Sequence, residues 1–297
     1  MKISGFTYIR NGLTYGYPFI PSIKSLLPVV DELIVVVGDS TDGTREAIMA
    51  INDAKIRIID SVWDEEFRIS GKIFAQQSNL GLDNISGDWA FHIQADEVLH
   101  ETAPEKIKEH IIQADKIEEV EGLIFPYYHF WGDYSHIRNT RSTHRYEVRA
   151  FKNVKGVRSY RDSQGFRKYK TDNQDEDGQK LNVLKADVPI YHYSYTRNPN
   201  LMKQKTNYFH RFWHNDEWVK KNTTPVPFDF NRVDKLELFE GTHPKYMKET
   251  IGQKDWDFEY DPTKSNMRLK YKLLHWIEKR FGYRLFEYKN YKLIKGR

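Results

Sequence analysis

Leu33-Ile34-Val35-Val36-Val37-Gly38-Asp39-Ser40-Thr41-Asp42-Gly43-Thr44 runs from five consecutive apolar residues into a turn rich in Asp, Ser and Gly. A strand with no polar alternation is buried on both faces, the habit of a central strand in a parallel sheet. The turn residues favour tight backbone and leave carboxylates and helix-start N–H groups facing a crevice. The same grammar returns in Gly87-Asp88-Trp89-Ala90-Phe91-His92-Ile93-Gln94-Ala95-Asp96-Glu97, an apolar strand that ends in two carboxylates. Ligands of open α/β sheets collect at the carboxyl ends of strands, and hard divalent cations choose oxygen ligands such as Asp96 and Glu97. Either loop alone also reads as an ordinary acidic turn. At successive strand ends, the two together point to a nucleotide diphosphate held through a metal.

Working outward, Ile3 to Ile9 reads as a first strand and Phe19 to Leu27 as a helix stopped by Pro28. A helix from Thr44, a strand at Ile56 to Ile59, a helix from Gly71 to Leu82 and the strand Trp89 to Ile93 continue the alternation. This βαβαβαβ order predicts an α/β fold, a parallel sheet covered by helices with right-handed crossovers. After a helix at Pro104 to Lys116 come short aromatic strands at Leu123 to Phe130, Arg145 to Phe151 and Val188 to Tyr193, where the sheet is expected to turn mixed. The acidic run from Thr171 to Gly178 lacks an apolar anchor and reads as a solvated loop, with a lid as the alternative. Helices follow, Leu201 to His214 the clearest. A domain over 1–215 and a helical C-terminal extension over 216–297 are expected. In the late helix Met267 to Phe281, the stripe Leu269, Leu273, Leu274, Trp276 and Ile277 stands among lysines and arginines. It is expected to pack on the body, an interfacial membrane helix with a basic face being the alternative.

The 297 residues suffice for a sizeable core, and 46 basic against 42 acidic residues leave a net charge of +4. These charges are interspersed, which argues against a nucleic-acid binder. The absence of cysteine removes disulfides, thiolate zinc sites and cysteine nucleophiles. No signal-peptide core and no run of about 18 apolar residues occurs, so a cytoplasmic protein is expected, with peripheral contact at the cytoplasmic membrane face left open. No Gly-x-Gly-x-x-Gly follows the first strand, which weakens a dinucleotide oxidoreductase.

The first strand ends in Tyr8-Ile9-Arg10-Asn11, an aromatic, a cation and an amide beside the Asp39 turn. Arg10-Asn11, Ser40-Thr41-Asp42-Gly43-Thr44, Gln77-Ser78-Asn79 and Ala95-Asp96-Glu97, in this order and spacing, resemble a family 2 glycosyltransferase over roughly the first hundred residues. The resemblance implies an A-type nucleotide-binding sheet, mixed and mainly parallel, and a DxD-type acidic motif with Mn²⁺ or Mg²⁺. It also implies inverting transfer of a sugar from a nucleotide-diphosphate donor to a glycan or lipid-linked acceptor. Carried over, Tyr8, Arg10 and Asn11 line the nucleotide pocket and Asp42 keeps its place in the second-strand turn, while Lys72, Asn79, Gln94 and Ala95 join the donor site. Two positions depart from the family. Val37 stands where an Asp is usual, leaving Asp39 to take over the base or ribose contact. Gln94 replaces the first acid of the motif, so metal binding rests on Asp96 with help from the diphosphate, a weaker site or none.

A third ligand is sought in His192, of Pro189-Ile190-Tyr191-His192-Tyr193, since imidazole suits Mn²⁺; a satisfied strand histidine is the equal alternative. His92 reads as structural. Inverting transfer needs a base across the sugar from the leaving diphosphate. Asp162, in a turn between strands, is the candidate, Glu147 its rival, and Glu97 an alternative catalytic or acceptor-orienting acid. Arg68, Lys72 and Lys203 are candidates to stabilise the departing diphosphate, and Trp131 and Tyr134 stand between an acceptor platform and core. The rival from another class is a non-catalytic nucleotide- or sugar-binding protein on the same fold, for which Gln94 is the best argument.

Overall fold

A computed structural model of the chain describes residues 1–170 and 177–294. The acidic run at 171–176 lies outside them. Four strands, β1 (Ile3–Ile9), β2 (Glu32–Val37), β3 (Ile56–Asp60) and β4 (Trp89–His92), pair in parallel in the order β3-β2-β1-β4. Their alternation splits two cores. Leu33, Val35 and Val37 face one with Trp89 and Phe91, while Ile34 and Val36 face the other with Phe6 and Ala90. The first core is covered by α1 (Phe19–Leu26), α2 (Thr44–Met49) and the later α4 (Ala103–Asp115), through Ile23, Ile48 and Ile107. On the opposite face lies α3 (Lys72–Leu82), which packs against β1 and contributes Leu82.

The chain leaves β4 through Gln94-Ala95-Asp96 and forms β5 (Glu97–Leu99), which the sequence reading does not separate from the turn. The long strand β6 (Gly122–Trp131) is followed by β7 (His136–Ile137) and β8 (Tyr146–Lys152). Strand β8 is antiparallel to both β4 and β6, so the sheet turns mixed there. A small sheet of β9 (Val157–Ser159), β10 (Phe166–Lys168) and β11 (Gln179–Lys180) stands beside it. Two further strands, β12 (Asn182–Lys185) and β13 (Ile190–Tyr195), both run parallel to β6, and β13 pairs antiparallel with β5 in the register His192 to Glu97. That pairing carries His192 to the acidic turn. Trp131 and Tyr134 are both buried, Trp131 donating from Nε1 to the Phe230 carbonyl at 2.8 Å, so they belong to the core and form no acceptor platform.

The remaining elements are α5 (Pro199–Phe209), α6 (Asp216–Asn222), β14 (Glu237–Leu238), α7 (Lys248–Gly252), α8 (Leu269–Phe281) and β15 (Lys292–Leu293). Past residue 215 the described residues form three α-helices separated by long irregular stretches, and two short strands that join the body, β14 on β7 and β15 on β12. Helix α8 meets the expectation only in part, with Leu274 buried and Ile277 half-buried. It buries Leu274, His275 and Glu278 and turns Leu269, Leu273 and Trp276 outward. The reason is ionic: Glu278 accepts from Arg284 at 2.8 Å and Lys279 pairs with Glu237 at 2.6 Å, which fixes the polar side of the helix against the body.

Candidate active site

The carboxyl ends of β1 and β4 open into a cleft with a cavity volume of about 260 Å³. Of the residues expected at a site, Tyr8, Arg10, Gln94, Ala95, Asp96, Asp162 and His192 line it together. Its floor is the acidic turn. Asp96 is buried, and its Oδ1 faces His192 Nε2 at 3.5 Å, while Oδ2 faces Arg197 Nη2 at 3.6 Å and Lys205 Nζ at 3.5 Å. Burial alone would raise the Asp96 carboxyl, but Lys205, His192 and Arg197 hold it well below the usual carboxylate range. Burial and the adjacent Arg197 bring the Lys205 ammonium down to about 7, against the pull of Asp96. Neither cation was singled out from the sequence. Lys203, which was, donates to the Pro225 carbonyl at 3.0 Å, and Arg68 pairs with Asp216 at 2.8 Å. The periodicity of α5 contains the signal: Lys205 is one of its two buried residues, alongside Met202.

The orientation of the His192 ring follows from its neighbours. His129 Nε2 lies 2.8 Å from the His144 carbonyl oxygen, which can only accept, so Nε2 carries the proton. Burial keeps His129 neutral, its pKa at about 3, and its Nδ1 is therefore bare. That atom lies 2.8 Å from His192 Nδ1, which must donate. His192 Nε2 faces Asp96 Oδ1 at 3.5 Å, and the ring is oriented by its bond to His129, as metal-binding imidazoles are by the outer groups they bond to. Asp96 Oδ1 and His192 Nε2 are an oxygen and a nitrogen of the kinds that Mn²⁺ and Mg²⁺ accept. Among the described residues no group of three or more His, Cys, Asp and Glu side chains could hold a metal alone.

Above the floor, Asp162 stands in the turn between β9 and β10, half-buried, with Oδ1 lacking any hydrogen-bond partner. Burial raises its carboxyl above the usual range. The turn is strained: Arg161 and Ser163, on either side, have φ of 52° and 68°, conformations that side chains with a Cβ seldom adopt. Gly71 makes room for it. A Cβ there would come within 2.8 Å of Asp162 Cβ and 2.9 Å of the Trp213 ring. Asn79, expected at the donor, instead accepts from the Ser159 N–H at 2.9 Å and so ties α3 to the strand leading into this turn.

The cleft walls are aromatic. Trp63, Phe74, Tyr208, Phe209 and Trp213 line it with Tyr15 and Tyr17, and Tyr15 stacks on Tyr208 with centroids 4.9 Å apart. Arg10 bridges the wall to the second-strand turn, donating to Asp39 at 2.6 Å and to the Tyr208 hydroxyl at 3.1 Å. Asp39 therefore reaches the cleft through Arg10.

Other expected residues serve the scaffold. Asp42 Oδ1 accepts from the Thr44 N–H and hydroxyl at 3.1 and 2.6 Å, and Oδ2 from the Thr14 N–H at 2.7 Å. Asn11 Oδ1 accepts from the Thr41 N–H at 3.0 Å. Lys72 opens α3 outside the cleft lining. Glu97, expected as an acid acting on substrate, is 0% exposed and fully engaged. It takes both arms of Arg149 at 2.7 and 2.9 Å, the Tyr127 hydroxyl at 2.9 Å and the Gln94 N–H at 3.0 Å. It shapes the turn and has no free lone pair aimed at the cleft. Glu147 is buried away from the cleft lining, and His92 is a core residue stacked on Phe6 with centroids 4.8 Å apart.

No family model and no curated protein matches the chain. Among solved structures it is similar to S. aureus TarS, at 13% identity and a TM-score of 0.39 over 70% of this chain and 39% of that one. It is similar to a mannosyltransferase from Pyrobaculum calidifontis in complex with GDP-Man and Mn²⁺, at 16% identity and a TM-score of 0.32 over 41% and 34%. A third similarity is to glucosyl-3-phosphoglycerate synthase from Mycobacterium tuberculosis in complex with Mn²⁺, UDP and phosphoglyceric acid, at 22% identity and a TM-score of 0.30 over 44% of each chain. The chain spans less than half the length of each of these three.

Proposed function

We propose that the chain is a nucleotide-sugar glycosyltransferase that moves a sugar, with inversion, from a nucleotide-diphosphate donor to a hydroxyl of a glycan or lipid-linked acceptor. The observation that carries this reading is the pairing, in one aromatic-walled cleft, of the Asp162 carboxylate, whose Oδ1 has no hydrogen-bond partner, with the cationic floor around Asp96. Aromatic faces suit a base and a sugar ring, and Arg10, Arg197 and Lys205 suit a diphosphate. In the proposed step the acceptor oxygen bonds to the anomeric carbon as the bond from that carbon to the phosphate oxygen breaks. Asp162 takes the hydroxyl proton, and the nucleoside diphosphate leaves with the electron pair. Lys205, Arg197 and Arg10 oppose the negative charge that grows on it. Asp96 Oδ1 and His192 Nε2 would hold Mn²⁺ or Mg²⁺, which when bound adds Lewis-acid stabilisation of the leaving phosphate.

Because the protein would supply only two ligands, a metal held there would bind more tightly with oxygens of a diphosphate added, so metal and nucleotide should bind as a linked pair. Thermal shift tests this. Mn²⁺ alone should leave the melting temperature unchanged, a nucleoside diphosphate should raise it, and both together should raise it further. An equal nucleotide shift in chelator and in Mn²⁺ would leave the diphosphate to Arg10, Arg197 and Lys205 without a metal, and no shift with any nucleotide overturns the donor site. Sugar transfer that survives Asp162→Asn unchanged overturns the base.

A further inference from the structure

Helix α8 presents its apolar side to solvent. Leu269, Leu273 and Trp276, spaced four and three residues apart and so on one helical face, are 83%, 60% and 60% exposed, and Phe281 and Phe286 continue the patch at 67% and 86%. Lys270, Lys272, Lys279 and Arg280 flank this face. The opposite side of the helix is anchored, with Leu274 buried and Glu278 bonded to Arg284, so the apolar side is held outward by the fold. Contiguous exposed apolar surface rimmed by charge marks an interaction site.

What it meets is indicated by the groove beside it. A cavity of about 800 Å³ lies between the 138–146 segment and the 266–291 segment, lined by seven cationic side chains and two carboxylates. The two carboxylates are already engaged, Asp234 by Arg138 at 2.7 Å and Glu287 by both arms of Arg145 at 2.8 Å. Arg141 Nε and Nη1 and Arg284 Nη2 are buried with no hydrogen-bond partner. Such orphaned charged donors are costly unless an anion meets them. Arg268 and Lys270 belong to both the groove and the start of α8, and Phe286 lines the groove as well, so the anion site and the apolar face are continuous.

We propose that α8 and the segment after it form an interfacial docking surface for an anionic phospholipid bilayer, the apolar face entering the headgroup boundary and the arginine groove taking lipid phosphate. Both halves of the surface match the two halves of such a lipid. No helix among the described residues is long and apolar enough to cross a membrane, so the contact is with one face of the bilayer.

The test is flotation of the full chain with vesicles of phosphatidylcholine alone and of phosphatidylcholine with phosphatidylglycerol. The chain is expected to float with the anionic vesicles, and partitioning to fall more than tenfold in the triple variant L269S/L273S/W276S, all exposed positions. The variants R141Q and R268Q/K270Q should lose the preference for phosphatidylglycerol. Unchanged circular dichroism in each variant shows that the fold survives. Three results overturn the proposal. The chain stays in solution with both vesicles; it forms a dimer that the triple variant abolishes, so that a second copy covers the face; or it binds soluble tripolyphosphate through Arg141 while ignoring vesicles.

Discussion

The role proposed for Asp162 rests on one neighbour and one missing bond. Gly71 leaves the space its Cβ needs, and the absence of a donor at Oδ1 leaves one lone pair free for a hydroxyl proton. Asp162→Asn should therefore keep nucleotide binding, read by thermal shift, and lose about 10² to 10⁴ in turnover. With burial raising its carboxyl, activity should fall on the acid side at a pH above the ordinary carboxylate range, as protonation removes the base. That limb should vanish from the residual activity of the Asn variant. Lys205→Gln should weaken nucleoside diphosphate binding by about 10- to 100-fold, the worth of one charge-assisted bond, measured by calorimetry. Unchanged affinity there would remove Lys205 from the diphosphate site.

At the scale of elements, the acidic turn is held between β4 and β5 by a buried ion pair. Arg149, on β8, grips Glu97 bidentately with 2% and 0% of the two side chains exposed, and so ties the turn to the neighbouring strand. Arg149→Met should leave a buried carboxylate unpaired and cost about 3 to 5 kcal/mol of stability, seen in urea unfolding. The strained β9–β10 turn depends in the same way on α3. Gly71→Ala puts a methyl against Asp162 and Trp213 at a positive φ of 64°. Turnover should drop while nucleotide affinity holds, and stability should fall by about 1 kcal/mol or more.

For the whole molecule, Glu147 links stability to pH. Burial raises the Glu147 carboxyl to about 7, against the nearby Arg149, whereas the unfolded chain returns it to about 4.5. The folded state thus binds the proton more tightly. Its contribution is complete below about pH 4.5 and is lost as pH rises through about 7. Glu147→Gln should flatten the fall in melting temperature between those limits, and an unchanged slope would assign the dependence elsewhere.

The same scale separates what could be read from what could not. Apolar runs at 33–37 and 89–93 and the helices between them follow from local pattern, and the strand bounds of β1, β2 and β3 agree with that pattern to within a residue. The turn residues Asp39, Asp42 and Asp96 are legible because two acidic turns recur at successive strand ends, where ligands of open sheets collect. What each acid does was not visible, because role depends on partners far away in sequence. Asp42 folds back on Thr14, Glu97 is claimed by Arg149, and Asp96 meets Lys205 after 109 residues. The outward face of α8 is a similar case, since periodicity locates an apolar stripe and only the Glu278 to Arg284 and Lys279 to Glu237 bonds decide which way it points. The sequence by itself determined the α/β order, the strand ends and the acids placed there, since hydrophobic period and turn chemistry act over a few residues. Tertiary structure alone decided which carboxylates are paired and which is free, because charge is neutralised by whatever the fold brings within a few ångströms.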